Sequence, residues 1–461
     1  MIPTLNSERM TRLLVAGCVI QIAACIYYWL SLAENGYLPS PFVYDKADTF
    51  MDFFHPMYWA DEPGRYTEWG SVYPPLNFLF LKGVRWLLFG QVHESDAFTL
   101  RDSAKPLIPY IVAAFAAAPL FVFRHDLWRG FTATQKALLF VICLLSPPML
   151  FTIERGNLII FALGFLALAL AKPGWTRTFA IGMLINIKPY FALYLVAFAI
   201  SQRPKELVSC TMMAGAIFLL SGIMLDEHFM EFFQNLLQFS QDQILFSPRE
   251  LLDLPSSISA FSSVLRMYLY FVGNLSIVGL DIAAIIPLIE SIKWLAILAA
   301  FFSLGFGGRR IPIETTLAAT TIAIANLGVW VGGYSFILYV CLIPILCRLT
   351  YYRIYLACVF LIFMPIDVIS MYSENLGTRY AYLSDITTSV DWQLSLGAFL
   401  RPVVNFVLLL VITFEIFKNY APSRRAMLKS LRGATPEKMA LAGRMGLNLS
   451  SYLQHDLMRP V

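Results

Sequence analysis

The residues that could do chemistry are ionisable side chains scattered through an apolar chain. Asp52 lies in DTFMDFFHPMYWADEPGRYTEWGSVYPPL, a polar and aromatic stretch from Asp48 to Leu76. Glu154 and Arg155 share the turn Glu154-Arg155-Gly156-Asn157, Lys188 precedes a proline, and Arg266 ends the serine-rich SSISAFSSVLR. An ionised side chain at membrane depth is costly unless it has a partner or a task. A carboxylate beside several cations at a lipid surface suits the attack of an acceptor hydroxyl on a carbon that bears a phosphate leaving group. Asp52 would take the hydroxyl proton as general base. Arg155, Lys188 and Arg266 would hold the departing phosphate through charge-assisted hydrogen bonds. One displacement needs one carboxylate, whereas glycoside hydrolysis uses two flanking acids.

Plainer readings stand beside these. Asp45, Asp48, Asp61, Glu62 and Glu68 surround Asp52, as in a solvated acidic loop. Glu154 and Arg155 suit a local ion pair capping the next helix, Lys188 a side chain that snorkels to the interface, and Arg266 an anchor for a surface helix. Tyr58, Trp59, Tyr66, Trp69 and Tyr73 suit stacking on a sugar and equally an interfacial aromatic belt. His55 and His93 are too isolated for a metal site. The seven cysteines fall in or beside apolar runs with no CxxC pair, as small core hydrophobes do.

Of 461 residues 58% are hydrophobic and 14% charged, which is the composition of a polytopic membrane protein. The formal net charge of +4 is small and forms no basic stripe, which argues against nucleic acid as a partner. The chain reads as all-α, with about twelve transmembrane helices. They are placed near 11–32, 106–123, 136–152, 158–171, 178–188, 189–201, 207–225, 281–305, 313–332, 334–350, 354–370 and 400–418, the fifth and sixth forming a broken pair at Lys188-Pro189. The first run follows Arg9 and Arg12 and reads as an uncleaved helix, being rather long for a signal peptide.

Tyr73 to Gly90 is apolar but carries Lys82 and Arg85 in mid-run. As a re-entrant or interfacial helix it leaves every basic cluster on one side: Arg9/Arg12, Arg124/Arg129, Lys172/Arg177, Arg203/Lys205, Arg309/Arg310, Arg348/Arg353 and the tail from Lys418. The other side then receives loops 33–105 and 226–280, the Glu154 turn, the Lys188 break and a smaller loop, 371–399. The division expected is a catalytic membrane module over 1–280, C-terminal helices over 281–418 and a basic cytoplasmic tail over 419–461. That tail reads equally as an amphipathic surface helix or as a solvated segment.

MDFFHPMYWA, SVYPPLNFLF, SPPMLFTIERGNLIIFALGFLALAL and FAIGMLINIKPYFALYLV, in that order, resemble the GT-C superfamily of polyprenyl-phosphate-sugar-dependent glycosyltransferases, and most closely the mannosyltransferase-like membrane enzymes of family 87. SSISAFSSVLR and WVGGYSFILYVCLIPIL match more loosely. The resemblance implies transfer of a hexose or pentose from a polyprenyl-monophosphate donor to a glycan or glycolipid acceptor. It implies inversion at the anomeric carbon and a site on the non-cytoplasmic face of a multi-pass protein of the bacterial inner membrane. Asp52 matches the first-loop acid, Arg155, Gly156 and Asn157 the Arg-Gly-Asn turn, and Lys188-Pro189 the Lys-Pro break. Glu154, Asn157, Tyr58, Tyr73, Trp330 and Tyr334 are added as substrate contacts. Two departures stand out: Phe50 lies two before Asp52, where relatives carry a paired acid, and Trp330 and Tyr334 stand where relatives have a late-loop histidine. No metal and no cofactor is expected. The rivals are a transporter or flippase for lipid-linked glycans, which related halves would favour, and a polysaccharide polymerase or ligase using pyrophosphate-linked donors.

Overall fold

The computed structural model describes residues 7–42, 47–90, 94–225, 229–241, 254–271, 276–277, 280–328 and 331–420. After α1 (Ser7–Asn35), the polar stretch folds into the short helices α2 (Met51–Trp59), α3 (Pro75–Phe89) and α4 (Ala97–Ser103). The apolar runs become α5 (Ile108–Phe123), α6 (Ala133–Leu144), α7 (Pro147–Arg155), α8 (Ile159–Ala171), α9 (Trp175–Ile187), α10 (Leu193–Ile200) and α11 (Pro204–Leu225). Beyond them come α12 (Phe232–Gln241) and α13 (Ile258–Phe271), then a two-residue ladder of β1 (Ser276–Ile277) and β2 (Leu280–Asp281). The remainder is α14 (Ile282–Gly307), α15 (Ile313–Ala325), α16 (Tyr339–Leu346), α17 (Tyr352–Phe363), a hairpin of β3 (Ser370–Ala381) and β4 (Ile386–Ser395), and α18 (Leu396–Tyr420).

The helix boundaries follow local chemistry. Thr132 and Gln135 form a capping box at the start of α6. Pro147 and Pro148 cannot continue α6 but suit the first turn of α7, and the two helices meet at 53°. Pro189 ends α9, and Lys188 before it is extended (φ −139°, ψ 122°).

Among the described residues, five segments are long and apolar enough to cross a membrane: Glu8–Asn35, Lys105–Phe123, Pro204–Leu225, Ile285–Arg310 and Leu396–Tyr420. The bent α6 and α7 pair makes a sixth. The expected twelve are thus met only in part. The other apolar runs form helices too, but short ones: the 13 residues of α8 reach ~20 Å, against the roughly 30 Å of a hydrocarbon core. Every residue of α15 from Thr315 to Ala325 is buried, so its hydropathy reflects packing against protein. α3 is also short, at 15 residues, and its mid-run cations pair with Asp61, Lys82 at 3.4 Å and Arg85 at 3.1 Å.

The expectation of an all-α chain needs correction at residues 371–399. The protein is 75% helical, but β3 and β4 pair antiparallel from Ser370 opposite Ser395 to Ala381 opposite Ile386. At the hairpin base, Arg401 and Asp367 form a fully buried ion pair, with Ser395 Oγ donating to Asp367 at 3.0 Å and Arg401 Nε to the Ile362 carbonyl at 3.0 Å. At its turn, the Arg101 guanidinium lies 3.7 Å from the centre of the Tyr382 ring.

Four of the expected basic clusters meet at one end of the bundle. Lys172 reaches Asp126 at 3.6 Å, Arg177 reaches Glu314 at 2.6 Å, and Arg203 donates to the carbonyls of Arg309 and Ile311. Helix α8 carries the chain from the Arg155-Gly156-Asn157 turn to this end, and α9 returns it to Lys188.

Candidate functional site

The site is built on a junction between the start of α2 and the end of α7. Phe50, in the left-handed region (φ 62°), donates its backbone N–H to the Glu154 carbonyl at 2.7 Å. Thr49 Oγ1 donates to Glu154 Oε1 at 3.2 Å, and Arg101 Nη1 donates to the Thr49 carbonyl at 2.9 Å. Glu154 is 6% exposed and so lies beneath the junction. It is placed there as a strut, and its other oxygen has no hydrogen-bond partner among the described residues.

Helix α7 ends at Gly156, whose φ of 68° is a left-handed C-cap. A Cβ on Gly156 would stand 2.8 Å from Phe53 Cβ and 3.3 Å from the Phe50 carbonyl oxygen, so glycine is required for conformation and for close approach alike. Asn157 follows, and its Oδ1 accepts the Ile159 backbone N–H at 3.0 Å. With its oxygen so engaged, the side-chain amide turns its nitrogen to Asp52 Oδ2, at 2.7 Å. Arg155 binds both acids of the α2 start: Nη1 pairs closely with Asp48, and Nη2 lies 3.5 Å from Asp52 Oδ1. All three are about one-fifth to one-quarter exposed, Arg155 and Asp52 at 20% and Asp48 at 24%, so they are partly screened from water yet open to a ligand.

Lys188 joins from the break after α9. Asn77 clamps the start of α3 to the end of α9 by donating to the Asn186 and Ile187 carbonyls, both at 3.1 Å. That clamp sets Tyr73, the residue before Pro74-Pro75, over Lys188, with Nζ 4.6 Å from the ring centre. The Tyr334 ring closes the other side at 5.8 Å. Tyr334 arrives on a 3-10 turn, Gly333–Leu338, whose Gly333 N–H donates to the Leu254 carbonyl at 2.8 Å. Lys188 forms no ion pair among the described residues, so two aromatic faces are its close company. Burial first, and then the Asp52 carboxylate, raise the Tyr73 phenol well above its usual range and keep it neutral.

The structure thus brings together Asp52, Arg155, Asn157, Lys188, Tyr73 and Tyr334. Arg266 is exposed on α13, and no hydrogen bond or ion pair ties it to them among the described residues. Tyr58 is half-buried and donates its hydroxyl to the Ser95 carbonyl at 3.0 Å. Trp330 lies outside the described residues. His55 stacks on Trp59 (5.5 Å, 4°), and burial lowers its pKa.

Two residues were not singled out from the sequence. Asp48 was visible only as one acid of an acidic loop, although its position four residues before Asp52 places both near one cation. Tyr190, two residues after Lys188, carried no signal beyond that adjacency.

Asp48, Asp52, Arg155 and Lys188 sum to zero charge, with two carboxylates and two cations in one partly buried cluster. Such a cluster can accept a proton at Asp52 and can take an anion at Lys188. No curated protein and no solved structure matches the chain. Residues 107–325, which include Arg155, Asn157 and Lys188 but neither Asp52 nor Tyr334, match the model of glycosyltransferase family 87, and this match indicates a membrane glycosyltransferase.

Proposed function

We propose that the protein transfers a sugar, a hexose such as mannose or a pentose, from a polyprenyl-monophosphate donor to a glycan or glycolipid acceptor, with inversion. The observation that carries this reading is the convergence, from three separate parts of the chain, of Asp52, Arg155 and Asn157 in direct contact, with Lys188 near enough to feel the Asp52 charge. The acceptor hydroxyl oxygen attacks the anomeric carbon as the bond from that carbon to the phosphate oxygen breaks. The bonding pair leaves with the phosphate, and the hydroxyl proton passes to Asp52. Asn157 donates to Asp52 Oδ2, which leaves Oδ1 to face Arg155 and the acceptor. Arg155 and Lys188 offset the charge that gathers on the leaving phosphate, in a place where water screens it less. Tyr73 and Tyr334 hold the Lys188 ammonium in position. Arg266, exposed on α13, is given no part in phosphate binding. The reading includes a site on the non-cytoplasmic face of the bacterial inner membrane. In support, the cluster and the basic end of the bundle lie at opposite ends of α8 and α9.

The test is transfer by purified Asp52→Asn from a polyprenyl-phosphate sugar. Loss of a positioned base lowers the rate by about two to four orders of magnitude. A variant as fast as the parent removes Asp52 from the role. Labelled monophosphate and pyrophosphate donors given to the parent separate this activity from that of a polymerase or ligase, and movement of the lipid without transfer would point to a flippase.

A further inference from the structure

Tyr190 stands two residues beyond Lys188, on the 3-10 turn Pro189–Ala192 that follows the α9 break. Its ring packs against Phe191, with centroids 4.9 Å apart. Its hydroxyl oxygen is buried and has no hydrogen-bond partner among the described residues. Tyr334 and Tyr73, the two aromatic rings beside the Lys188 ammonium, interact with Tyr190 electrostatically, as does Tyr194. An unpaired buried hydroxyl is a cost to the fold, because it gives up water and gains nothing in return. A phenylalanine would fill the same space without that cost. Two residues before it, Lys188 likewise forms no ion pair among the described residues, so a donor hydroxyl and a donor ammonium that share Tyr73 and Tyr334 as neighbours have no acceptor among the described residues.

We infer that Tyr190 is a ligand-binding residue whose hydroxyl donates, alongside Lys188, to the phosphate of the lipid donor. The inference rests on the proposed use of a prenyl-monophosphate donor. The phosphate is the fitting ligand because it offers several charged acceptor oxygens, enough for the ammonium and the hydroxyl at once. A sugar hydroxyl could accept from Tyr190 but would leave Lys188 without a counter-charge. The lone hydroxyl is thus a cost to the fold that phosphate binding recovers.

The experiment compares the parent with Tyr190→Phe, full-length and in detergent, using a short-chain prenyl monophosphate without a sugar as the probe. For the free protein, Tyr190→Phe should melt at the same temperature as the parent or higher, since it removes an unsatisfied group and breaks no bond. For the probe, its dissociation constant should rise roughly tenfold or more, the scale of one charge-assisted hydrogen bond. Lys188→Gln should weaken the same binding. Unchanged affinity in Tyr190→Phe beside weakened affinity in Lys188→Gln overturns the role of Tyr190 alone. A lowered melting temperature in Tyr190→Phe also overturns it, because the hydroxyl would then be serving the fold. A parent that ignores the monophosphate but binds the matching pyrophosphate overturns the donor class itself. If the probe lacking sugar binds equally to parent and variant but the sugar-bearing donor does not, Tyr190 contacts the sugar and the phosphate assignment fails.

Discussion

Asn157 decides which way the Asp52 carboxylate faces. Its amide has an oxygen and a nitrogen that differ in role, and the Ile159 N–H at 3.0 Å claims the oxygen. The nitrogen is then fixed on Asp52 at 2.7 Å, so one side chain both caps α8 and orients the acid. Replacing it by aspartate keeps the cap and reverses the other contact, setting a carboxylate against Asp52. Asn157→Asp is therefore predicted to fold but to lose activity by tenfold or more near neutral pH, since like charge disfavours the ionised form of Asp52, the proposed base. Part of the activity should return as pH is raised. The measurement is the pH profile of transfer beside the melting temperature, and a profile identical to the parent's would remove Asn157 from the site. Arg155 works in a comparable way through its fork, which reaches Asp48 with one nitrogen and Asp52 with the other. A lysine offers one point of charge and cannot serve both.

At the scale of elements, α2 and α7 form one unit, tied by the Phe50 to Glu154 backbone bond and the Thr49 to Glu154 side-chain bond. Gly156 is the point of nearest approach. Gly156→Ala places a methyl where Phe53 Cβ is 2.8 Å away and demands a left-handed conformation of an L-residue. The conformation alone costs about 1–2 kcal/mol, and the clash must tilt α2, which carries Asp52. The predicted outcome is a lower melting temperature together with a loss of rate larger than the loss of stability explains, because the proposed base, displaced by about 1 Å, would lose roughly a hundredfold. Thermal denaturation and initial rates on one preparation check this. An alanine variant that melts lower but retains its rate would show that α2 does not move. The α3 to α9 clamp through Asn77 has the same logic, since it aligns Tyr73 with Lys188 by joining two helix ends.

Across the whole molecule, the β3 and β4 hairpin is fixed at both ends, by Arg401 and Asp367 at the base and by Arg101 under Tyr382 at the turn. Arg101 also holds the Thr49 carbonyl, so the hairpin and the Asp52 loop share a support. Arg401→Met leaves Asp367 buried without its cation, which costs about 3–5 kcal/mol, and is predicted to lower the melting temperature markedly. The double variant Arg401→Met, Asp367→Leu should recover much of the loss; if it melts no higher than the single variant, the pair is not the anchor. Much of this architecture was legible beforehand. The apolar runs marked nearly every long helix, Pro147-Pro148 and Lys188-Pro189 marked the breaks, and Lys82 and Arg85 set α3 apart from a spanning helix. Span count was less legible, because a helix such as α15 that is buried among other helices is as apolar as one facing lipid. The hairpin was hidden as well, since its alternation of buried and exposed residues is weak over much of β3. By itself the sequence determined the membrane character, the helix breaks and the candidate acid and cations, because hydropathy and backbone chemistry are local. Only the tertiary structure decided that Asp52, Arg155, Asn157 and Lys188 gather in one region, that Asp48 joins them, that Tyr190 lies near Tyr73 and Tyr334 and that Arg266 is exposed. Contacts across more than a hundred residues depend on packing at Gly156, Asn77 and Gly333, and no local pattern in the chain encodes those approaches.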